Sequence, residues 1–373
     1  MKKKAKRLFS FVGASIMVGA GLLTGCGTTN DFSNASSVSN AAASTKVAST
    51  KNSEPAVKVA FLMPDTTSSP RWEYDDRPDF IAALHKLDPN AQVLYFNALG
   101  SQTTQLQQAE SALTQGAKVL VVTAVNGFAA TPIVTEAARM HVPVISYDRL
   151  IQNAKVSYYV SFNNVEVGKL QGEYIAQHTK PGGTVVMLDG SPTDPNAKQF
   201  AQGAHEVLDP LFKSGKLKLG YEQYTMNWDP SQALVEMEQA LTKLHNHVNA
   251  VLAANDNLAG AAIQALQAQH ITGIPVTGQD ATDAGLHRIW IGTQSMTVYK
   301  PIKEEADAAA QLTYDLLVHK NPTDIINGSV NNGVEDVPSV LLTPIVVTKA
   351  NIASTVIKDG FTTWARIKNP SSQ

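Results

Sequence analysis

Residues 118–148, KVLVVTAVNGFAATPIVTEAARMHVPVISYD, and residues 249–280, NAVLAANDNLAGAAIQALQAQHITGIPVTGQD, share one order of features. Each begins with an apolar run that is typical of a buried strand and that reaches an Asn. Each continues with a segment of helical periodicity and ends in a Pro-Val strand followed by Asp. The two stretches form a weak internal repeat, which predicts two similar α/β lobes.

The same alternation of strands and helices extends beyond the repeat. One series begins with VKVAFLM (57–63) and a helix over 78–87, and a second begins with TVVML (184–188) and a helix over 196–213. Nearly continuous apolar strands separated by helices indicate parallel sheets covered on both faces. We therefore predict a chain of two Rossmann-like parallel-sheet lobes joined by a hinge.

A strand and a helix follow the second series, which favours lobes that are joined by several crossings of the chain. Residues 55–162 with 296–322 are predicted to form the N-terminal lobe. Residues 163–295 with 323–365 are predicted to form the C-terminal lobe.

The first residues predict export and anchoring. MKKKAKR carries five cationic residues, a short apolar core follows, and Leu-Thr-Gly-Cys ends at Cys26, the only cysteine. This pattern predicts a lipoprotein signal peptide over 1–25 and a lipidated Cys26. Residues 26–54 are rich in Ser, Thr, Asn and Ala and are predicted to be a disordered tether. Removing residues 1–25 leaves 25 Lys and Arg against 32 Asp and Glu, a net charge of −7, which gives no electrostatic reason to bind nucleic acid.

Polar side chains follow the predicted strands at their carboxyl ends, where open parallel sheets bind ligands. The group comprises Asp148, Arg149, Asn163, Asn164, Asn255, Asp256, Gln279 and Asp280, with Arg71, Trp72, Asp194, Asn196, Trp228 and Lys300 in loops. Carboxylates, amides and guanidinium groups match the paired hydroxyls of a sugar, and an indole ring stacks on its C–H face. Taken singly, an Asn or Asp after a strand is as typical of a turn or a helix cap as of a binding site. Asn257, for example, is expected to cap the helix over 257–269.

Other chemistries lack their sequence patterns. The chain has no phosphate-binding glycine loop, no nucleophile elbow, and no His or Cys spacing that would bind a metal. Asp75 and Asp76 are adjacent carboxylates that we expect to be solvated rather than catalytic. We therefore predict a binding protein that is not an enzyme and uses no cofactor or metal.

Several strings match one known family. They include Arg71-Trp72, SYDRLI (146–151), SFNNVEVGKLQ (161–171), GSPTDPNAK (190–198) and GTQSMTVYKPI (292–302). From about Val57 to Gly360 the chain resembles the ribose- and galactose-type periplasmic binding proteins of bacterial ABC sugar importers, and within them the xylose-binding branch. The resemblance implies the type I fold of periplasmic binding proteins, with the sugar enclosed when the lobes close.

The resemblance also implies roles for individual residues. Arg71, Asp148 and Arg149 belong to the hydrogen-bonding set of the N-terminal lobe, and Asn196, Asn255 and Asp280 to that of the C-terminal lobe. Trp228 stacks on the sugar ring, Trp72 adds apolar contact, and Lys300 lies near the hinge. Asn163 stands where the family pattern commonly has Asp, which leaves the exact sugar open.

The predicted partners follow from this resemblance. They are a monosaccharide, with xylose expected and glucose or ribose as alternatives, and the permease and ATPase of an ABC importer. We expect a monomer outside the cytoplasm, held by Cys26 on the outer face of the membrane, or in the periplasm of a Gram-negative cell. A sugar sensor that presents its ligand to a chemoreceptor or sensor kinase is the alternative function, since it would bind the same ligand.

Overall fold

The computed structural model describes residues 56–370, so the predicted signal peptide, Cys26 and the tether lie outside the described residues. The strands are β1 (Lys58–Met63), β2 (Gln92–Asn97), β3 (Ala117–Val122), β4 (Val144–Tyr147), β5 (Tyr158–Phe162), β6 (Gly183–Asp189), β7 (Leu217–Tyr224), β8 (Ala250–Ala253), β9 (Met296–Tyr299), β10 (Gly328–Asn331), β11 (Asp336–Leu342) and β12 (Ile345–Thr348).

The helices alternate with these strands. They are α1 (Arg77–Leu87), α2 (Gln102–Thr114), α3 (Thr131–Arg139), α4 (Asn164–His178), α5 (Pro195–Lys213), α6 (Pro230–Lys243), α7 (Asp256–Ala268), α8 (Asp283–Ile291), α9 (Ile302–Leu317) and α10 (Trp364–Lys368), with short helical turns at Trp72–Asp76, Met226–Trp228 and Ala353–Ile357. Between residues 56 and 370, none of the helices combines the length and apolar character needed to cross a bilayer.

The first lobe is built on a seven-stranded sheet in the order β10-β11-β5-β4-β3-β1-β2. All neighbours are parallel except β10, which runs antiparallel to β11. Successive side chains of a strand point to opposite faces, so Leu62 and Leu120 pack into the core on one face and Phe61 and Val121 into the core on the other. Both faces are therefore buried, as the continuous apolar strands predict.

The second lobe repeats this order. Strand β6 lies between β7 and β8, and the sheet continues through bridges from Val251 to Val276 and from Gln279 to Val298 of β9. Strand β12 then pairs antiparallel with β9. In each lobe the first strand lies between the second and the third, so strand order reverses there and leaves a crevice at the carboxyl ends. The predicted fold class, two doubly wound parallel-sheet lobes, is confirmed.

The chain passes between the lobes at residue 163, at 300–301 and at 343–344. The strand pairing divides the last third of the chain differently from the sequence prediction, which placed 296–322 in the N-terminal lobe and 323–365 in the C-terminal lobe. Strand β9 pairs within the second lobe, whereas β11 pairs with β5 of the first. Both assignments depend on hydrogen bonds to distant strands, which local sequence patterns do not reveal.

Candidate functional site

A small cavity lies at the carboxyl ends of the strands, between the two lobes. The structure brings together at this cavity all nine residues that the sequence predicts to bind sugar: Arg71, Trp72, Asp148, Arg149, Asn196, Trp228, Asn255, Asp280 and Lys300. Ser68, Ser69, Asp194, Phe200 and Gln279 also line it.

Local capping interactions place the polar side chains of the second lobe. Asp194 caps α5, because its side chain accepts from the backbone N–H of Asn196, and Pro195 fixes the first helical residue. Asn255 caps α7 in the same way through Leu258 N–H. The prediction that Asn257 caps this helix is wrong, because the helix already begins at Asp256. Asn255 follows the end of β8, Asp194 lies in the loop after β6, and both capping residues line the cavity.

Three basic side chains hold Asp148 ionised in the first lobe. Arg71 Nη1 donates to Asp148 Oδ2 at 2.9 Å, and Lys300 Nζ lies 3.8 Å from the same oxygen. Burial alone disfavours the carboxylate, but Lys300, Arg71 and Arg149 outweigh burial and lower the pKa of Asp148. A buried carboxylate that stays charged is a strong acceptor for a ligand hydroxyl.

Direct contacts join the lobes around the cavity. Asn196 Nδ2 donates to the backbone oxygen of Asp148 at 2.9 Å and to Asp148 Oδ1 at 3.0 Å. Lys300 Nζ lies 3.1 Å from Asp280 Oδ1. Farther out, Gly127 N–H donates to Thr193 O at 3.1 Å. The structure is therefore a closed arrangement in which polar groups of one lobe reach those of the other.

Two indole rings form the apolar walls. Trp72 Nε1 donates to Ser68 Oγ at 3.1 Å, and Trp228 Nε1 donates to Asp194 Oδ2 at 3.1 Å. Phe200 packs edge-on against Trp228, with ring centroids 6.3 Å apart. Gly190 makes room for the second indole, because a Cβ at Gly190 would stand 2.0 Å from Trp228 Cη2. With both N–H groups bound to protein, the rings contribute carbon surface to the cavity.

Several buried polar atoms at the cavity make no hydrogen bond within residues 56–370. Ser69 Oγ, Gln279 Oε1 and Asp280 Oδ1 are buried and accept or donate no hydrogen bond there, although Asp280 pairs by charge with Lys300. Arg149 Nε also makes no hydrogen bond, although it forms an ion pair. Ser69 Oγ and Gln279 Oε1 therefore have neither a hydrogen bond nor an ion pair, which is unfavourable, so the cavity is suited to a ligand whose polar groups bond to them.

Some residues of the site escape sequence reasoning. Ser69 and Phe200 carry no pattern that marks them, whereas Gln279 and Asp194 stand in the predicted strand-end and loop sets. The expectation that Asp76 is solvated is wrong, because its side chain is 0% exposed and bonds to Arg71. Among residues 56–370, no group of three or more His, Cys, Asp or Glu is arranged to hold a metal ion.

Two doubly wound lobes that close on a polar, indole-walled cavity define a two-lobed solute-binding protein. The chain belongs to the periplasmic binding protein family, whose domain matches residues 59–321.

Its relatives include two proteins named as D-xylose-binding periplasmic proteins. The one from Haemophilus influenzae is 44% identical over 294 residues, 79% of this chain and 87% of the relative. The one from Escherichia coli K12 is 42% identical over 306 residues, 82% of this chain and 91% of the relative. Both relatives are binding proteins by name.

A solved structure of similar fold is the carbohydrate transporter solute-binding protein of Chloroflexus aurantiacus in complex with D-glucose. It is 29% identical, with a TM-score of 0.76, and the match covers 83% of this chain and 98% of that one. Proteins of similar fold thus include one whose structure contains a sugar other than xylose.

Proposed function

We propose that this chain is the ligand-binding component of an ABC sugar importer and that it captures D-xylose by closing its lobes on the sugar. The observation that carries the proposal is the closed cavity between the lobes. It combines unpartnered buried polar atoms from both lobes with two indole walls. Two relatives above 40% identity that are named for D-xylose support the choice of sugar.

The expectation that the lobes close on the sugar follows from how the sugar's hydrogen-bonding partners are divided between the two lobes. Arg71, Asp148 and Arg149 belong to the first lobe, and Asn196, Asn255 and Asp280 to the second. A sugar bound to one lobe alone would leave half of its hydroxyl groups without protein partners. The ligand therefore favours the closed state by its larger affinity for that state.

Calorimetric titration of the purified protein with xylose, glucose, ribose and arabinose tests the proposal. Xylose should bind most tightly, well below millimolar. If no sugar binds more tightly than about 1 mM, some −4 kcal/mol, the sugar-binding function is wrong. If glucose binds best, the sugar is wrong and the class of function stands.

We also propose that lipid on Cys26 holds the protein outside the cytoplasm, where it delivers sugar to the permease. The support is the Leu-Thr-Gly-Cys sequence behind a cationic and apolar leader. Replacing Cys26 with Ser should move the protein from the membrane fraction to the soluble fraction. Retention of the variant in the membrane fraction would contradict lipidation at this position.

A further inference from the structure

Arg71 is buried among three carboxyl groups. Its Nε donates to Asp76 Oδ2 at 2.8 Å and its Nη2 to Asp76 Oδ1 at 2.6 Å. The same Nη2 donates to Glu305 Oε2 at 2.5 Å, and Nη1 donates to Asp148 Oδ2 at 2.9 Å. A guanidinium has five N–H donors, so four are taken by protein and one, on Nη1, remains for a ligand.

Asp76 and Glu305 stand behind Arg71 rather than in the cavity. Neither lines it, and both side chains are 0% exposed. Asp76 ends the short helical turn before α1 and also accepts from Tyr147 Oη at 2.6 Å. Glu305 lies in the first turn of α9, immediately after the crossing that carries Lys300. Two elements far apart in sequence thus converge on one guanidinium.

The geometry fixes the plane of that guanidinium. Asp76 binds it through two parallel bonds, an arrangement that sets orientation as well as distance. Glu305 takes the second proton of Nη2 and so prevents Nη2 from turning toward the cavity. Nη1 alone contacts Asp148, which lines the cavity, and it carries the one N–H that no protein group accepts.

We infer that Asp76 and Glu305 are positioning residues for sugar binding, which hold Arg71 so that its one free N–H points at the ligand. The inference rests on the proposed function and assigns no sugar contact to either carboxyl group. It predicts that affinity for sugar depends on two residues that the sugar never touches.

The test begins with Glu305→Gln and Asp76→Asn in the purified protein, with Glu304→Gln as the matched control. Glu304 is the exposed neighbour of Glu305 on α9. Xylose affinity should fall about tenfold in Glu305→Gln and at least as much in Asp76→Asn, and should stay unchanged in Glu304→Gln. Circular dichroism and thermal melting confirm that each variant is folded.

Two further measurements distinguish a positioning role of Glu305 from a general structural role. The loss caused by Glu305→Gln should shrink to less than about twofold in an Arg71→Lys background, because the residue that it positions is gone. Nitrogen NMR should show faster rotation of the Arg71 guanidinium in Glu305→Gln but not in Glu304→Gln, with or without sugar.

Unchanged affinity in both variants would overturn the inference, as would an equal loss in the Arg71→Lys background or an unchanged guanidinium rotation rate. If the unmodified protein binds no sugar, the proposed function fails, and the positioning role falls with it. If it binds sugar and Glu305→Gln binds equally well, only the positioning role fails.

Discussion

Arg149 Nε lies 2.8 Å from Asp194 Oδ2, so a guanidinium of the first lobe meets a carboxylate of the second across the cavity. The two side chains are 6% and 4% exposed. A charge pair this deeply buried is energetically demanding to separate, because each partner left alone would be an uncompensated charge. The pair therefore couples closure of the lobes to the position of Trp228, whose N–H also bonds to Asp194.

Replacing Asp194 with Asn should lower xylose affinity about 10- to 100-fold by removing the charge that pairs with Arg149. Asn keeps the oxygen that caps α5, so the start of the helix is preserved. Calorimetry measures the affinity, and stopped-flow fluorescence should place most of the loss in the dissociation rate. The control is Glu206→Gln, which breaks the exposed pair with Lys169 and should have no measurable effect. Equal affinities of Asp194→Asn and the unmodified protein would contradict this role for the pair.

Replacing Asp280 with Ala should abolish sugar binding, and Asp280→Asn should lower affinity about 10- to 100-fold, because a buried charged hydrogen-bonding group is lost. The backbone of Asp280 has a φ of 92°, a region that Asn adopts more readily than Ala. Asp280→Asn should therefore keep the melting temperature close to that of the unmodified protein. Calorimetry and thermal melting measure the two effects separately. Unchanged affinity in both variants would remove Asp280 from the site.

Replacing Gly190 with Ala should displace the Trp228 indole, because the new Cβ would stand 2.0 Å from Trp228 Cη2. We expect xylose affinity to fall about tenfold or more and the free energy of unfolding to fall by about 1–3 kcal/mol. Calorimetry and urea unfolding test this. Gly328→Ala is the control, since its Cβ would meet only the flexible end of Leu341 at 3.2 Å. Equal affinity of Gly190→Ala and the control would place the indole outside the sugar site.

The carboxyl group of Asp75 predicts a pH dependence of stability. Burial, with a contribution from the neighbouring charge of Asp76, raises the pKa of Asp75 from 3.8 to about 7. The folded protein then binds the proton more tightly than the unfolded chain. Its contribution to the free energy of unfolding is complete below the unfolded pKa and is lost as pH rises through about 7.

Replacing Asp75 with Asn should remove this loss. Between pH 5 and pH 8, the free energy of unfolding of the unmodified protein should fall by about 1–2 kcal/mol more than that of Asp75→Asn. Urea unfolding at the two pH values measures the difference. An identical pH dependence in both proteins would show that Asp75 is already ionised at neutral pH in the folded state.

The sequence predicts the cavity better than it predicts the lobes. Asp148, Asn255 and Asp280 were identifiable because they follow apolar strands, and the carboxyl ends of parallel strands meet at one edge. The division of the chain after β9 was not identifiable. Strand β11 pairs with β5 from a distant part of the chain, and nothing in the local pattern of β11 distinguishes the two sheets.

The carboxyl groups that position Arg71 show a second limit of prediction from the sequence. Asp76 and Glu305 lie in helical segments, where a charged residue is usually solvated. Glu304 and Glu305 are adjacent in sequence, and only the second faces Arg71. Which side of α9 faces Arg71 depends on how the helix packs against the rest of the lobe. Sequence spacing alone therefore could not show that Glu305, rather than Glu304, contacts Arg71.

The place of β10 and β11 in the first sheet determines the order in which the protein can be completed during synthesis. These strands are the last part of the first lobe to be made, after residues 163–300 of the second lobe have already emerged. Until then β5 is an open edge with unpaired backbone groups, a surface prone to pairing with other chains. A chain that stops before residue 342 therefore keeps the unpaired edge of β5. A premature stop codon late in the coding sequence would yield an aggregation-prone product rather than a shorter functional one.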